Sequence, residues 1–318
     1  MSNDDYKFTL EAKYLKKAKD ELNENDSDRM AAVEALRKWL NEQKHLKHPS
    51  ETEHLLRVLR HAKFSQIKAR ETLENVAEFA MKHSDTFHDL NLADKTFLDI
   101  IKTGQMLYLP GYDDEGRKVC VYRLNAYPIE KAMKEVGVQN IIKSWNASMM
   151  SFFYDEMIQI NGLVFILDMT GLSLSVISKM SDPKIKKYEK DSMKALVGRM
   201  KAFHYYNVGT LFEAFFAFYK TIMKKKLIDR VKVHDSLESL YTHVPKRMLP
   251  VEYLPDDYDG PSAGTIQDLI DEELQRLQSD VCKNFAKSYF SKEKYMYDET
   301  LKEKSTEPIQ HFRKLNVD

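Results

Sequence analysis

Apolar residues recur with helical spacing over the first part of the chain. Residues 28–42 place Val33, Leu36 and Leu40 on one helical face, and residues 67–82 repeat the pattern after a proline-containing break. An apolar stripe with a period near 3.6 is typical of an amphipathic helix. Residues 1–95 are therefore predicted to form an all-helical N-terminal unit.

Short apolar runs separated by helical stretches begin after residue 102. Met106–Leu109 and Lys118–Leu124 flank a turn rich in proline, glycine and aspartate, which indicates a hairpin. Gly162–Asp168 reads GLVFILD, the pattern of a strand that is buried on both faces. Met200–Tyr206 and Val231–His234 are predicted to be two further strands. Strands that alternate with helices predict an α/β domain with a mostly parallel sheet.

One segment, Thr210–Met223, is apolar around most of its circumference. Its sequence, TLFEAFFAFYKTIM, carries two adjacent apolar stripes, and the lysines 224–226 follow directly. It is too short to cross a bilayer, which needs about 20 residues. Two interpretations stay open: an ordinary core helix with a solvated basic end, or a cover over an apolar cavity that also touches an anionic membrane.

The composition excludes several classes of protein. The chain has 49 basic and 49 acidic residues, so it lacks the overall positive charge of a nucleic-acid-binding protein. Cys120 and Cys282 lie far apart, which favours a reducing compartment over a disulfide framework. The N-terminus lacks a signal-peptide pattern, and no apolar run reaches membrane-spanning length. We expect a soluble, cytoplasmic protein that is only transiently at membrane surfaces.

Sequence motifs of catalysis are missing. The chain contains no GxGxxG, phosphate-loop or GxSxG motif. His45 and His48 have ligand-like spacing but no companion motif, so we expect a solvated loop and no metal. Asp168 is interpreted as a turn-forming or capping carboxylate, and the adjacent Asp155 and Glu156 as solvated or capping acids. The sequence therefore favours a binding protein without a cofactor over an enzyme.

Several stretches in a fixed order resemble the CRAL-TRIO lipid-transfer family, and within it the branch that carries tocopherol and retinaldehyde and is expanded in insects. They are Ala35–Leu46, Leu55–Phe64, Gly116–Val119, Asn161–Gly171, Lys201–Asn207, Leu211–Lys220, Lys226–His234 and Leu249–Tyr253. The resemblance covers about Ala31 to Gly264.

The chain departs from the family pattern at four places. Prolines usual before the Met200 strand, after Asn207 and after Lys220 are replaced, the last of them by Thr221. The usual tyrosine-double-glycine is stretched into Tyr253–Gly260. These departures concern the stiffness of a helix hinge and the cavity floor rather than the fold.

The resemblance implies three regions and a ligand cavity. Residues 1–95 would form the helical N-terminal unit, 96–264 the lipid-binding domain and 265–318 a C-terminal helical tail. One face of the mostly parallel sheet would line an apolar lipid cavity, closed by Thr210–Met223 as a gate helix. The tail has Leu269, Leu274 and Leu277 at helical spacing, which fits either a helix packed on the domain or an adaptor surface for a signalling partner.

The predicted ligand-binding residues come from strand alternation, from the helix before the third strand and from the gate. They are Ile142, Met149, Phe153, Leu163, Phe165, Leu167, Phe203, Tyr205, Phe212, Phe215, Phe216, Tyr219 and Met223. Tyr154, Tyr205, Tyr206 and Tyr219 are candidates for a hydroxyl that meets a polar ligand end. The expected ligand is a tocopherol, retinoid, carotenoid or other terpenoid; phospholipid or phosphoinositide exchange is the alternative.

A basic cluster accompanies the gate. The resemblance places Arg199, Lys201, Lys220, Lys226 and Arg230 where related proteins hold anionic head groups, and Lys224 and Lys225 extend the cluster. Clustered cations near an acidic leaflet gain about 1 kcal/mol each. The predicted partners are thus a small hydrophobic ligand and, peripherally, anionic membranes, with phosphoinositides as one candidate lipid, and no nucleic acid is expected.

Overall fold

The N-terminal part of the chain is helical, as the apolar spacing predicts. The computed structural model describes residues 6–306; residues 1–5 of the predicted helical unit and 307–318 of the predicted tail lie outside the described residues. The N-terminal elements are α1 (Ala12–Leu22), α2 (Arg29–Glu42), β1 (Leu46–Lys47), α3 (Thr52–His61), α4 (Gln66–Lys82), α5 (Ser84–Phe87) and α6 (Lys95–Ile101).

A five-stranded sheet forms the centre of the following domain. Its strands are β2 (Met106–Tyr108), β3 (Lys118–Arg123), β4 (Leu163–Asp168), β5 (Met200–Tyr206) and β6 (Val231–His234). They lie side by side in chain order, with β2 antiparallel to β3 and β3 to β6 parallel. The predicted hairpin and mostly parallel α/β sheet are confirmed.

Helices connect the parallel strands and complete the chain. They are α7 (Ile129–Glu135), α8 (Gly137–Phe152), α9 (Glu156–Asn161), α10 (Leu174–Met180), α11 (Pro183–Ala195), α12 (Phe212–Lys220), α13 (Lys225–Ile228), α14 (Leu237–Tyr241), α15 (Ile266–Gln278), α16 (Asp280–Tyr289) and α17 (Glu299–Thr306), with β7 (Met296–Tyr297) before the last. Apolar residues recur with helical spacing throughout residues 139–160, which predicts one helix, but the segment forms two, α8 and α9. Asp155 separates them because its carboxylate accepts the Met157 N–H at 2.8 Å and so begins α9.

The two faces of the sheet have different neighbours. Val119, Val121, Val164 and Ile166 point to one face and form a closed core with residues of α14 and α15. The alternate residues of β4 and β5 point to the other face, as the period of two requires. That second face carries the candidate site.

A buried ion network joins the N-terminal unit to the sheet domain. Arg60 of α3 is 1% exposed and binds the fully buried Glu24 at 2.9 Å, Glu156 at 2.8 Å and Gln159 at 2.7 Å. Glu156, expected to be solvated or capping, is therefore an ion-pair partner of Arg60. A buried charge of this kind needs such partners to offset its lost hydration.

The C-terminal helices contribute to both cores. Leu269 of α15 packs with the sheet, whereas Leu277 packs with the N-terminal unit. β7 pairs antiparallel with β1, and Tyr295 beside it is buried.

This pairing overturns the expected solvated loop at His45 and His48, because both histidines are buried beneath it. His45 Nε2 lies 3.3 Å from Glu74, and the His48 ring packs edge-on against Tyr295 at 5.2 Å.

Candidate ligand cavity

Two adjoining chambers lie between the second face of the sheet and helices α8, α11 and α12. Their volumes are about 230 and 290 Å³. The residues that line both chambers are Ile142, Trp145, Met149, Phe165, Leu167, Tyr188, Glu189, Phe203 and Tyr219. Because so many wall residues are shared, we describe the chambers as one cavity.

The sheet wall follows from strand register. Phe165 lies opposite Phe203, and Leu167 opposite Tyr205. The two phenylalanine rings are stacked, with centroids 5.7 Å apart and planes within 9°. Parallel pairing of alternating aromatic residues thus makes a continuous apolar floor.

Helix α8 forms a second wall with an apolar stripe that can be recognised in the sequence. Ile142 and Met149 line both chambers, and Trp145 lies between them on the same face. Trp145 is missing from the predicted site, although its spacing from its two neighbours is the signal that identifies it.

Helix α11 supplies the wall that sequence reasoning missed. Ile185, Tyr188, Glu189, Ser192 and Met193 recur at helical spacing, and all of them line the cavity. The lysines between them are exposed. The many charged residues of α11 make it look like a surface helix. The helical spacing of its cavity-lining residues is the signal that would have identified this wall.

The gate segment covers the cavity, and its helix is shorter than predicted. Phe215, Tyr219 and Met223 line it, the last from the turn beyond α12. Phe212 and Phe216 pack behind it on Tyr205, with ring centroids 5.0 and 6.0 Å away. The outer side of α12 is exposed and carries residues 213, 214, 217 and 220.

Four predicted ligand residues do not line either chamber: Phe153, Leu163, Phe212 and Phe216. Phe153 lies beyond the end of α8, and its ring occupies the space beside Gly198, where an added Cβ would come within 2.4 Å of it. Leu163, at the start of β4, is 1% exposed in the same core. These side chains support the walls from behind.

In the part of the chain that the structure describes, three of the polar groups that line the cavity have no protein partner, whereas others, such as Tyr188 and Asn146, bond to each other. Among the described residues, nothing forms a hydrogen bond or ion pair with the Glu189 carboxylate or a hydrogen bond with the Tyr205 or Tyr219 hydroxyl. Burial raises the pKa of Glu189 from 4.5 to about 7. Of the other predicted hydroxyls, Tyr154 packs on Phe285 at 4.9 Å and Tyr206 joins the opposite sheet face, so both lie outside the cavity.

Some residues of the predicted basic cluster form ion pairs within the described part of the protein, and others do not. Arg199 and Lys201 both bind Glu21 of α1, at 2.6 and 3.1 Å. Lys225 pairs with Asp229 at 3.1 Å. Arg230 donates to the Met200 carbonyl, and Lys220 Nζ lies 4.9 Å from the centre of the Phe216 ring.

Lys224 and Lys226 are exposed. The pKa of Lys226 is lowered by desolvation and then by nearby cations, Arg230 and Lys63 foremost. Several cations therefore converge near the gate.

The other side chains that were candidates for catalysis or metal binding are accounted for by the structure. Asp168 accepts the Thr170 N–H at 3.0 Å and the Tyr253 hydroxyl at 2.6 Å, which confirms a turn-forming carboxylate. Both cysteines are free and buried. Within residues 6–306, no group of histidine, cysteine and acidic side chains could hold a metal, and no helix has the length and apolar character to cross a bilayer.

An internal apolar cavity backed by a mostly parallel sheet and covered by an aromatic helix defines the class of protein, and sequence comparison agrees with it. Residues 102–253 match the CRAL/TRIO domain. Human alpha-tocopherol transfer protein-like is 30% identical over 257 residues, which cover 78% of this chain and 71% of that protein. Human clavesin-2 is 23% identical over 264 residues, covering 81% and 80%. The chain belongs to the CRAL/TRIO family of lipid-binding and lipid-transfer proteins.

A solved structure, that of Sfh5, aligns with 86% of this chain and 100% of its own, at 13% identity and a TM-score of 0.46.

Proposed function

We propose that this protein encloses one small hydrophobic molecule with a single polar end, a terpenoid such as a tocopherol, retinoid or carotenoid, and carries it between membranes. The observation that supports this most is the almost wholly apolar cavity. Its two chambers together reach the size of ordinary small-molecule sites, about 300–1,000 Å³. Burial of apolar ligand surface at about 25 cal/mol per Å² is sufficient for sub-micromolar affinity.

A slim, rigid ligand suits this cavity better than a two-chain phospholipid. The walls are dominated by aromatic rings, such as the stacked Phe165 and Phe203, which favour flat unsaturated groups. The name of the relative alpha-tocopherol transfer protein-like supports the same ligand class.

Extraction of the purified protein with organic solvent, followed by mass spectrometry, tests the proposal. We expect a single-chain terpenoid in the wild type. Leu167 lies in the wall that both chambers share, so Leu167→Trp fills cavity space and should lower ligand content at least tenfold. The control Ile67→Trp changes a side chain that is 79% exposed and should leave ligand content unchanged. Circular dichroism checks that both variants fold.

Two outcomes would contradict the proposal. A phosphorus-containing two-chain lipid as the dominant bound species would reverse the ligand order in favour of phospholipid exchange. Absence of any lipid, together with no binding from a panel of isoprenoids and phospholipids, would contradict cavity binding and favour an adaptor.

The exposed cations beside the gate support a docking step. Lys224 and Lys226 directly follow the gate segment, and Arg230 lies near them. We propose that they hold the protein at an anionic membrane while gate aromatics exchange contact with the ligand for contact with lipid. Arg199 and Lys201 join this surface only when they separate from Glu21.

A further inference from the structure

Glu189 is the one carboxylate in the lining of either chamber, among the residues that the structure describes. It lies at the middle of the inward stripe of α11, with Ile185 and Met193 one turn away on either side. Helix geometry alone therefore directs it at the cavity. Its neighbour Lys190 is exposed, whereas Glu189 is half-buried and lines both chambers.

Several tyrosines line the chambers together with this carboxylate. Its charge acts on Tyr122 of β3, Tyr188 of α11 and Tyr219 of α12. Tyr188 is already bonded to Asn146 at 3.1 Å. Within residues 6–306, the hydroxyls of Tyr122 and Tyr219 have no hydrogen-bond partner. The cavity thus contains a small polar cluster that the protein itself leaves unsatisfied.

Nearby cations do not satisfy the carboxylate either. Lys179 lines the larger chamber, but burial is the only cause of the raised Glu189 pKa, with no opposing effect from a cation. A polar group that is buried without a partner destabilises the protein, and more strongly when it is charged. A bound molecule that supplies the missing donor would remove this destabilisation.

We infer that Glu189 anchors the polar end of the ligand, that this end donates a hydrogen bond from a hydroxyl or an amine, and that lipids ending in a carboxylate or phosphate are excluded. The inference rests on the proposed function, since it assigns the polar end of a molecule held in that cavity. The apolar floor recognises the hydrocarbon in every case, so selection among head groups falls to this cluster.

The exclusion follows from charge. An anionic head beside Glu189 would bring two negative charges into an apolar site, where one of them must take up a proton or leave. A hydroxyl or amine forms a charge-assisted hydrogen bond instead, the stronger kind. A polar site that fits one head group rejects a mismatched one strongly, because its own groups are then left unpaired.

A ligand series with one hydrocarbon and different ends tests this. The affinities for retinol, retinylamine and retinoic acid are measured by equilibrium dialysis. The pH is about 8.5, where the carboxyl groups of Glu189 and of retinoic acid are both ionised. The wild type should bind the alcohol and the amine at least tenfold more tightly than the acid. Glu189→Gln should reduce that gap to about threefold or less, chiefly by tighter binding of the acid.

Two further variants separate anchoring from folding. Glu189→Leu should retain affinity for the hydrocarbon and lose discrimination between head groups. Glu213→Gln makes the same chemical change on the exposed side of α12 and should keep the wild-type ranking. Tocopherol and tocopheryl phosphate form a second pair, with the alcohol again expected to bind at least tenfold more tightly.

The two possible failures are distinct. If the wild type binds neither series, the proposed function is wrong, and this inference with it. If ligands bind but Glu189→Gln and Glu189→Leu leave the ranking unchanged, or the wild type prefers the acid, the inference alone is overturned.

Discussion

Single residues in this protein determine how its stability responds to pH. Glu189 differs from the other shifted carboxylates because no partner among the described residues offsets the burial, which raises its pKa from 4.5 to about 7. Its contribution to stability is therefore fully present below about pH 4.5 and is lost as the pH rises through 7. Tyr122, Tyr188 and Tyr219, which face it, titrate well above that window.

Glu189→Gln should therefore stabilise the ligand-free protein increasingly as the pH rises above about 4.5. Relative to the wild type, its free energy of unfolding should increase between about pH 5 and pH 8, by at most about 3 kcal/mol. Urea denaturation of both proteins at the two pH values measures the difference. Parallel pH profiles for the two proteins would show that the carboxylate is not desolvated.

Arg60 is a buried cation whose partners determine its contribution to stability. Arg60→Ala leaves Glu24 with Arg29 as its remaining cation. It leaves Glu156 with no cation and, among the described residues, with only the Tyr6 and Thr9 hydroxyls as donors. We expect a loss of about 3 kcal/mol in the free energy of unfolding. Arg247→Ala is the matched control, because its ion pair with Asp114 is largely exposed and should contribute less than about 1 kcal/mol. Equal losses in the two variants would contradict this account.

At the scale of elements, the gate helix and the basic segment after it have separate tasks. Phe215 and Tyr219 of α12 close the cavity, whereas Lys224 and Lys226 lie outside it and are exposed. Ligand affinity and membrane docking should therefore respond to different substitutions.

The double variant Lys224→Glu with Lys226→Glu should slow the transfer of labelled ligand to acidic vesicles severalfold and leave equilibrium affinity unchanged. High salt should slow the wild type similarly. Lys95 begins α6 and Lys102 directly follows that helix. Reversal of both makes the same change in net charge, and this variant should transfer like the wild type. Rates that depend on neither the reversal nor salt would exclude electrostatic docking.

Across the whole molecule, α1 connects the N-terminal unit to the end of the central sheet. Burial acts to raise the pKa of Glu21, but hydrogen bonds from Arg199 and Lys201 outweigh it and lower the pKa to about 2. The carboxylate is therefore charged throughout the physiological range, and it neutralises two cations near the proposed docking surface.

Glu21→Gln should release those cations and change transfer in the opposite direction to the lysine reversals. We expect transfer to acidic vesicles to accelerate about two- to fivefold, with a steeper dependence on salt. Glu11→Gln alters the same charge at an exposed position at the start of α1 and should have no effect. Unchanged rates in both variants would show that Arg199 and Lys201 take no part in docking.

How far the sequence predicts this structure depends on whether a pattern is local. Period-two alternation correctly placed Phe165 and Phe203 on one face, because strand direction and register followed from the α/β pattern. Phe153 and Phe212 were equally apolar, but only their tertiary neighbours direct them away from the cavity. The pairing of Arg199 with Glu21 joins residues 178 positions apart and leaves no periodic trace in the sequence.

Trp145 in the cavity wall has a practical consequence. The chain contains two tryptophans, and the other, Trp39, lies on α2, where the Arg70 guanidinium sits 5.3 Å from its ring centre. A bound polyene would accept excitation energy from the adjacent Trp145 indole, so its emission should fall as the cavity fills. Removal of Trp39 would leave a single chromophore in the cavity wall. The protein thus contains its own optical reporter of occupancy.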